Sequence, residues 1–195
     1  IVATVQYIIE RYQFPEKEED FIKSCIGGGA RNVLLKSLGS ENEALIDQEI
    51  LDVFKSYYLE HCDQFTYLYP GVKETLEHYF GHKKLAIATY KIKTATEKIL
   101  KTLGIDHYFD YIVTADDVEN PKPHPECIYK ILKYYPVKAE KTVLIGDTKT
   151  DFMTGHNAEI DVCAVTYGYG SEENLKTLNP TYLVDQMSKI KEFIL

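Results

Sequence analysis

Val143-Leu144-Ile145-Gly146-Asp147-Thr148-Lys149-Thr150-Asp151 opens with three apolar residues and closes with two acids four positions apart. A short, continuous apolar run is what a strand needs when helices cover both faces of its sheet. Gly146 lets the backbone turn sharply after the strand. Asp147 then stands at the strand end, where a carboxylate can bind a hard cation through oxygen. Asp151 falls on the same face one helical turn later, as a second ligand or as a partner that steadies a lysine. Each acid also has a plainer use, an N-cap for Asp147 and an exposed helix acid for Asp151.

Four more continuous apolar runs surround this one, at Leu85 to Ala88, Tyr111 to Val113, Val162 to Val165 and Tyr182 to Val184. Amphipathic stretches separate them, at Thr94 to Leu103, Glu126 to Tyr135, Asp151 to Ala158 and Ser188 to Ile194. Strands alternating with helices predict an α/β fold with a doubly wound parallel sheet. Functional groups in such sheets gather beyond the carboxyl ends of the strands.

Before Pro70 the period changes. Val5, Ile8, Ile9 and Tyr12 recur at helical spacing, followed by Phe21, Ile22 and Cys25, then Val33, Leu34 and Leu38, then Leu45, Ile50, Val53, Phe54 and Tyr57. Breaks fall at Phe14-Pro15, Gly27-Gly28-Gly29 and Gly39-Ser40. The division expected is a small helical bundle over residues 1–68 and an α/β core over 69–195.

Two further positions carry phosphate chemistry. Thr89 closes the Leu85 run, and a hydroxyl with neighbouring backbone N–H groups at a strand-to-helix junction holds phosphate oxygens; its plainer use is a helix cap. Lys122 lies in Pro121-Lys122-Pro123-His124-Pro125, where flanking prolines stiffen the backbone and aim the ammonium as a point charge. Its plainer use is a solvated loop lysine.

The order of these segments resembles the haloacid dehalogenase superfamily. Ile87-Ala88-Thr89 looks like its second motif, Lys122-Pro123-His124-Pro125 its third, and Ile145 to Asp151 its fourth. Ile26 to Arg31, Tyr69-Pro70-Gly71-Val72 and Tyr167 to Ser171 are similar to the phosphoglycolate phosphatase group, in which a helical cap covers the core. The resemblance implies a magnesium-dependent phosphatase acting on a small phosphorylated metabolite such as 2-phosphoglycolate. It further implies that Thr89 and Tyr90 bind the phosphoryl group, Lys122 neutralises it, Asp147 holds Mg²⁺ with Asp151 beside it, and Arg31 of the cap meets a remote substrate carboxylate. Phosphoglucomutase or pyrophosphatase chemistry on the same scaffold, or a catalytically silent binding protein, are the alternatives.

Two departures from the family pattern stand out. Tyr90 follows Thr89 where the family usually places Asn, so a side-chain phosphate contact is expected to be lost while the backbone N–H persists. The family's first motif, an Asp-x-Asp strand end carrying the nucleophile, has no counterpart between Ile1 and Leu195. Because that strand lies between the Thr89 and Asp147 strands in this family, about 20 residues are expected ahead of Ile1.

The rest of the composition narrows the partners. A net charge of −8 argues against general binding to nucleic acid or anionic membranes. No apolar run approaches membrane-spanning length. Cys25, Cys62, Cys127 and Cys163 lie far apart, so they read as buried reduced thiols of a cytoplasmic protein. The assembly expected is a monomer or homodimer.

Overall fold

The computed structural model describes residues 1–194. They divide into two compact units, one over Ile1–Thr66 and one from Tyr67 onward.

The first unit is helical. Its elements are α1 (Val2–Arg11), α2 (Glu19–Ser24), α3 (Ala30–Leu38), α4 (Glu43–Leu45), a π-helical segment (Ile46–Ile50) and α5 (Leu51–His61). Val5, Ile8 and Ile9 of α1 pack with Ile22, Leu34, Ile50 and Phe54 in one apolar cluster. Full burial of each isoleucine here contributes about 2 kcal/mol. Leu45, which the periodicity places in the core set, is 38% exposed, and Ile46 is fully buried instead. The buried stripe runs Ile46, Ile50, Phe54 at a spacing of four, which leaves Leu45 outside it. Gly39 ends α3 at φ 96°, in the region that favours glycine.

The second unit alternates helix and strand: α6 (Val72–Tyr79), β1 (Ala86–Ala88), α7 (Lys93–Thr102), β2 (Tyr111–Val113), α8 (Glu126–Tyr134), β3 (Val143–Gly146), α9 (Lys149–Asn157), β4 (Asp161–Val165), α10 (Glu172–Thr177) and β5 (Tyr182–Val184). All five expected strands form, and every pairing is parallel. They make two sheets, β1-β2 and β3-β4-β5.

Between these sheets the contact is through side chains. Leu85 and Val143 share a cluster with Cys163 and Val165, while Ala88 and Leu144 share another with Val113 and Ile128. Among the described residues β1 pairs only with β2, and β3 only with β4. Burial follows the pairing. Val162, Cys163, Ala164 and Val165 of the central β4 are all buried, but β1 and β3 are half-buried and Ile145 is 37% exposed.

Three local differences from the sequence reading have simple causes. The helix expected over Ser188 to Ile194 is a 3-10 helix, Met187–Glu192, anchored by fully buried Ile190 and by Phe193 stacked on Tyr182 at 4.1 Å. Helix α6 is additional to the expected set, and Val72, Leu76 and Tyr79 carry its apolar stripe. Helix α10 is additional too; it starts at Ser171, whose Oγ accepts the Asn174 N–H at 3.2 Å.

Candidate active site

The decisive stretch folds as a strand, a turn and a helix. β3 stops at Gly146, and the N-cap of α9 is Thr148 rather than Asp147. A capping box closes there: Thr148 Oγ1 accepts the Asp151 N–H at 3.3 Å, and Asp151 Oδ2 accepts the Thr148 N–H at 3.2 Å and its O–H at 2.6 Å. Asp147 is thereby released from capping, and Asp151 is fixed in the first turn with its other oxygen turned outward.

That oxygen meets Lys122. Lys122 Nζ donates to Asp151 Oδ1 at 2.7 Å, and the two side chains are only 12% and 14% exposed. The ammonium also lies 3.4 Å from the Ala88 carbonyl at the end of β1 and 5.4 Å from the centre of the Tyr90 ring. The Tyr90 hydroxyl donates to the Lys122 carbonyl. Burial pushes the Asp151 carboxyl up, but the Lys122 charge and the Thr148 donors outweigh it and hold the group below its ordinary value. Lys122 thus joins the end of β1 to the start of α9, which a solvated loop lysine would not do.

The Lys122 loop has its own anchor at Glu126, the first residue of α8. Its carboxylate accepts the backbone N–H groups of Glu119 at 3.1 Å and Asn120 at 2.9 Å, and the Asn120 amide at 3.0 Å. Those donors, the Asn120 backbone foremost, draw its pKa down to about 2. The sequence shows Glu126 only as an acid in a first helical turn.

Thr89 continues the β1–β2 pairing by donating its N–H to the Val113 carbonyl at 2.9 Å. Its Oγ1 accepts the Lys91 N–H at 3.1 Å, so the hydroxyl hydrogen is left to point at an outside acceptor. The cap of α7 is Ile92, not Thr89, and the Lys93 N–H is accepted by Asp116 at 2.7 Å.

Asp147 is half-buried against the loop after β4. Its Oδ2 accepts the Tyr169 N–H at 2.7 Å. Burial pushes the carboxyl up, aided by the nearby charge of Asp151; the Tyr169 N–H offsets part of the rise. A Cβ on Gly168 would overlap the Asp147 carboxylate, and one on Gly146 would overlap the Asp151 side chain. Glycine at these places is what permits the close approach. The only sequence signal for the Tyr169 contact is the pair of glycines flanking that residue.

Arg31 lies in the helical unit. Its Nε and Nη2 each meet an Asp47 oxygen at 2.7 Å, and Nη2 also meets Glu43 at 2.5 Å. The guanidinium fork expected to receive a substrate carboxylate is therefore occupied by two carboxylates of its own bundle.

Among the described residues no group of three or more His, Cys, Asp or Glu side chains gathers in a way that would hold a metal ion. All four cysteines are buried thiols. No helix among the described residues is long and apolar enough to cross a membrane.

Comparison with known proteins matches residues 1–165 to the haloacid dehalogenase-like hydrolase family. A pyrophosphatase PpaX from Bacillus anthracis is 32% identical over 191 residues, covering 97% of this chain and 86% of the relative. A phosphoglycolate phosphatase from Haemophilus influenzae is 28% identical over 199 residues, covering 97% and 88%. The crystal structure of a predicted phosphoglycolate phosphatase from Haemophilus somnus superposes with a TM-score of 0.89 at 24% identity, covering 100% of this chain and 90% of that one.

Proposed function

The chain belongs to the haloacid dehalogenase-like hydrolase family, and we propose that it hydrolyses a small phosphomonoester such as 2-phosphoglycolate through an aspartyl-phosphate, with Mg²⁺. The largely enclosed pair of Lys122 and Asp151, 2.7 Å apart between the loop before α8 and the first turn of α9, carries this reading. An ammonium fixed by a carboxylate, beside a hydroxyl with its hydrogen to give, is the electrostatic frame that phosphoryl transfer needs.

In this reading Lys122 neutralises the transferring phosphoryl group and Thr89 donates to one of its oxygens. Asp147 suits a hard cation, being a half-buried oxygen donor with one oxygen engaged by Tyr169 and the second left to meet an ion. Asp151 has one oxygen on Lys122 and the other on Thr148, so of its two possible roles we favour steadying the lysine. Magnesium is ordinarily held by one or two carboxylates, with waters and phosphate oxygens completing its shell, and when bound it neutralises phosphoryl charge. None of Thr89, Lys122, Asp147 and Asp151 serves as the nucleophile in this reading.

Pyrophosphate is the second substrate to test, because the 32% identical relative is named a pyrophosphatase. The full natural chain would be assayed with Mg²⁺ on 2-phosphoglycolate, pyrophosphate, a hexose phosphate and an aryl phosphate. Lys122→Ala should lower kcat/KM on the preferred substrate by roughly 100-fold, and Asp147→Asn should abolish magnesium-dependent turnover. Normal turnover by both variants would sink the reading; phosphate binding without any turnover by the natural chain would favour the silent binding protein.

A further inference from the structure

We propose that Tyr90 is a positioning residue that clamps Lys122 at both ends, aiming its ammonium at the bound phosphate. The inference rests on the phosphate role given to Lys122 above and adds a device that no motif carries.

Tyr90 directly follows Thr89, at the end of the run that forms β1, whereas Lys122 belongs to the loop before α8. One side chain nonetheless reaches both the backbone and the head group of that lysine. The phenol O–H donates to the Lys122 carbonyl, fixing where the loop passes. The ring lies under the ammonium at 5.4 Å, within the range where the face of an aromatic ring attracts a cation. A phenol has one hydrogen to donate, and this one is used. Tyr90 therefore serves the anion through Lys122, and its side chain is not itself a phosphate contact.

The geometry also sets direction. A lysine ammonium has three N–H donors. One is held by Asp151 Oδ1 at 2.7 Å, and the Ala88 carbonyl lies 3.4 Å away. The Tyr90 ring screens a further side, so the remaining donor has a restricted set of directions. Without the ring and the hydroxyl, the long flexible stem would sample more rotamers, and part of the alignment would be lost on each binding event.

Such a clamp predicts a graded series that simple loss of packing does not. Inorganic phosphate is the probe, titrated by calorimetry into the full chain with Mg²⁺, with thermal unfolding followed in parallel. Tyr90→Phe keeps the ring and should weaken phosphate binding slightly. Tyr90→Leu removes both contacts and should weaken it on the order of fivefold, while KM rises more than kcat falls.

The decisive measurement is a double-mutant cycle with Lys122→Met. In that background Tyr90→Leu should cause no further loss of phosphate affinity, because the group it positions is gone. An equal loss in both backgrounds, or none in the wild type, overturns the clamp. If Lys122→Met alone leaves phosphate affinity unchanged, the phosphate role of Lys122 fails and the clamp falls with it. Loss in Lys122→Met with none in Tyr90→Leu removes the clamp only.

Discussion

Lys122 Nζ and Asp151 Oδ1 stand 2.7 Å apart, although 29 residues separate them in the chain and one follows β2 while the other follows β3. Both side chains are nearly enclosed, so each charge depends on the other for the solvation it has given up. Asp151 also belongs to the capping box of α9, which joins the pair to the helix start.

Removing one member of such a pair strands the other. Asp151→Ala should destabilise the protein by about 3 kcal/mol in a urea titration, the lower part of the range for breaking a buried ion pair. Replacing both partners by apolar residues, Lys122→Met with Asp151→Leu, should recover much of that loss and none of the activity. If the double variant is less stable than Asp151→Ala alone, the pair is not what couples these two positions.

The approach of the loop after β4 to Asp147 depends on Gly168, where a Cβ would overlap the carboxylate. Gly168→Ala should push the two apart and lengthen or break the Tyr169 N–H bond that orients Asp147. Outer partners of this kind are worth roughly 10-fold or more in metal affinity. Calorimetric titration with Mg²⁺ should show a loss of that order; an unchanged affinity would mean that the Tyr169 contact does not orient the ligand.

Glu126 supplies the clearest pH dependence. Its folded pKa, about 2, lies below the ordinary value of 4.5. A depressed carboxyl contributes stability that is complete above the ordinary value and lost as pH falls towards the folded one. The Lys122 loop should therefore loosen between about pH 4.5 and pH 2, seen as falling amide protection at Glu119 and Asn120 relative to the intrinsic exchange rate at each pH. Glu126→Gln should show the loosened exchange at pH 7 and a flatter profile below it. Identical profiles for both proteins would refute the anchor.

What is legible in the sequence follows from range. The five strands are visible because continuous apolar runs between turn residues have few other uses, and Lys122, Asp147 and Asp151 draw notice because strand ends and proline-stiffened loops hold polar groups in place. Tyr90 reads as a loss and Arg31 as an open cation, since neither the clamp on Lys122 nor the occupation by Asp47 leaves a local trace. The same holds for Glu126, whose bonds to Glu119 and Asn120 depend on a loop folding back seven residues. The 3-10 turn over Met187–Glu192 keeps a helical pattern of apolar residues, so periodicity alone does not tell it from an α-helix.

The magnesium role proposed for Asp147 would set stability against function. Burial raises its carboxyl above the ordinary range, with Asp151 adding to the rise. A raised carboxyl contributes stability below its unfolded pKa, and that contribution is lost as pH climbs through the folded pKa. At neutral pH, without metal, the ionised Asp147 is therefore a burden on the fold. Asp147→Asn removes the charge and keeps an oxygen for the Tyr169 N–H, so Tm without metal should rise, by roughly 3 °C for each kcal/mol relieved. Magnesium should reverse the order. The natural residue gains about 2.7 kcal/mol when Mg²⁺ stands a hundredfold above its Kd, and the variant should gain almost nothing. Paired melting curves with EDTA and with excess Mg²⁺ test both halves. A variant less stable than wild type in EDTA would show that Asp147 is satisfied by the protein alone, and an equal magnesium shift in both proteins would place the ion elsewhere.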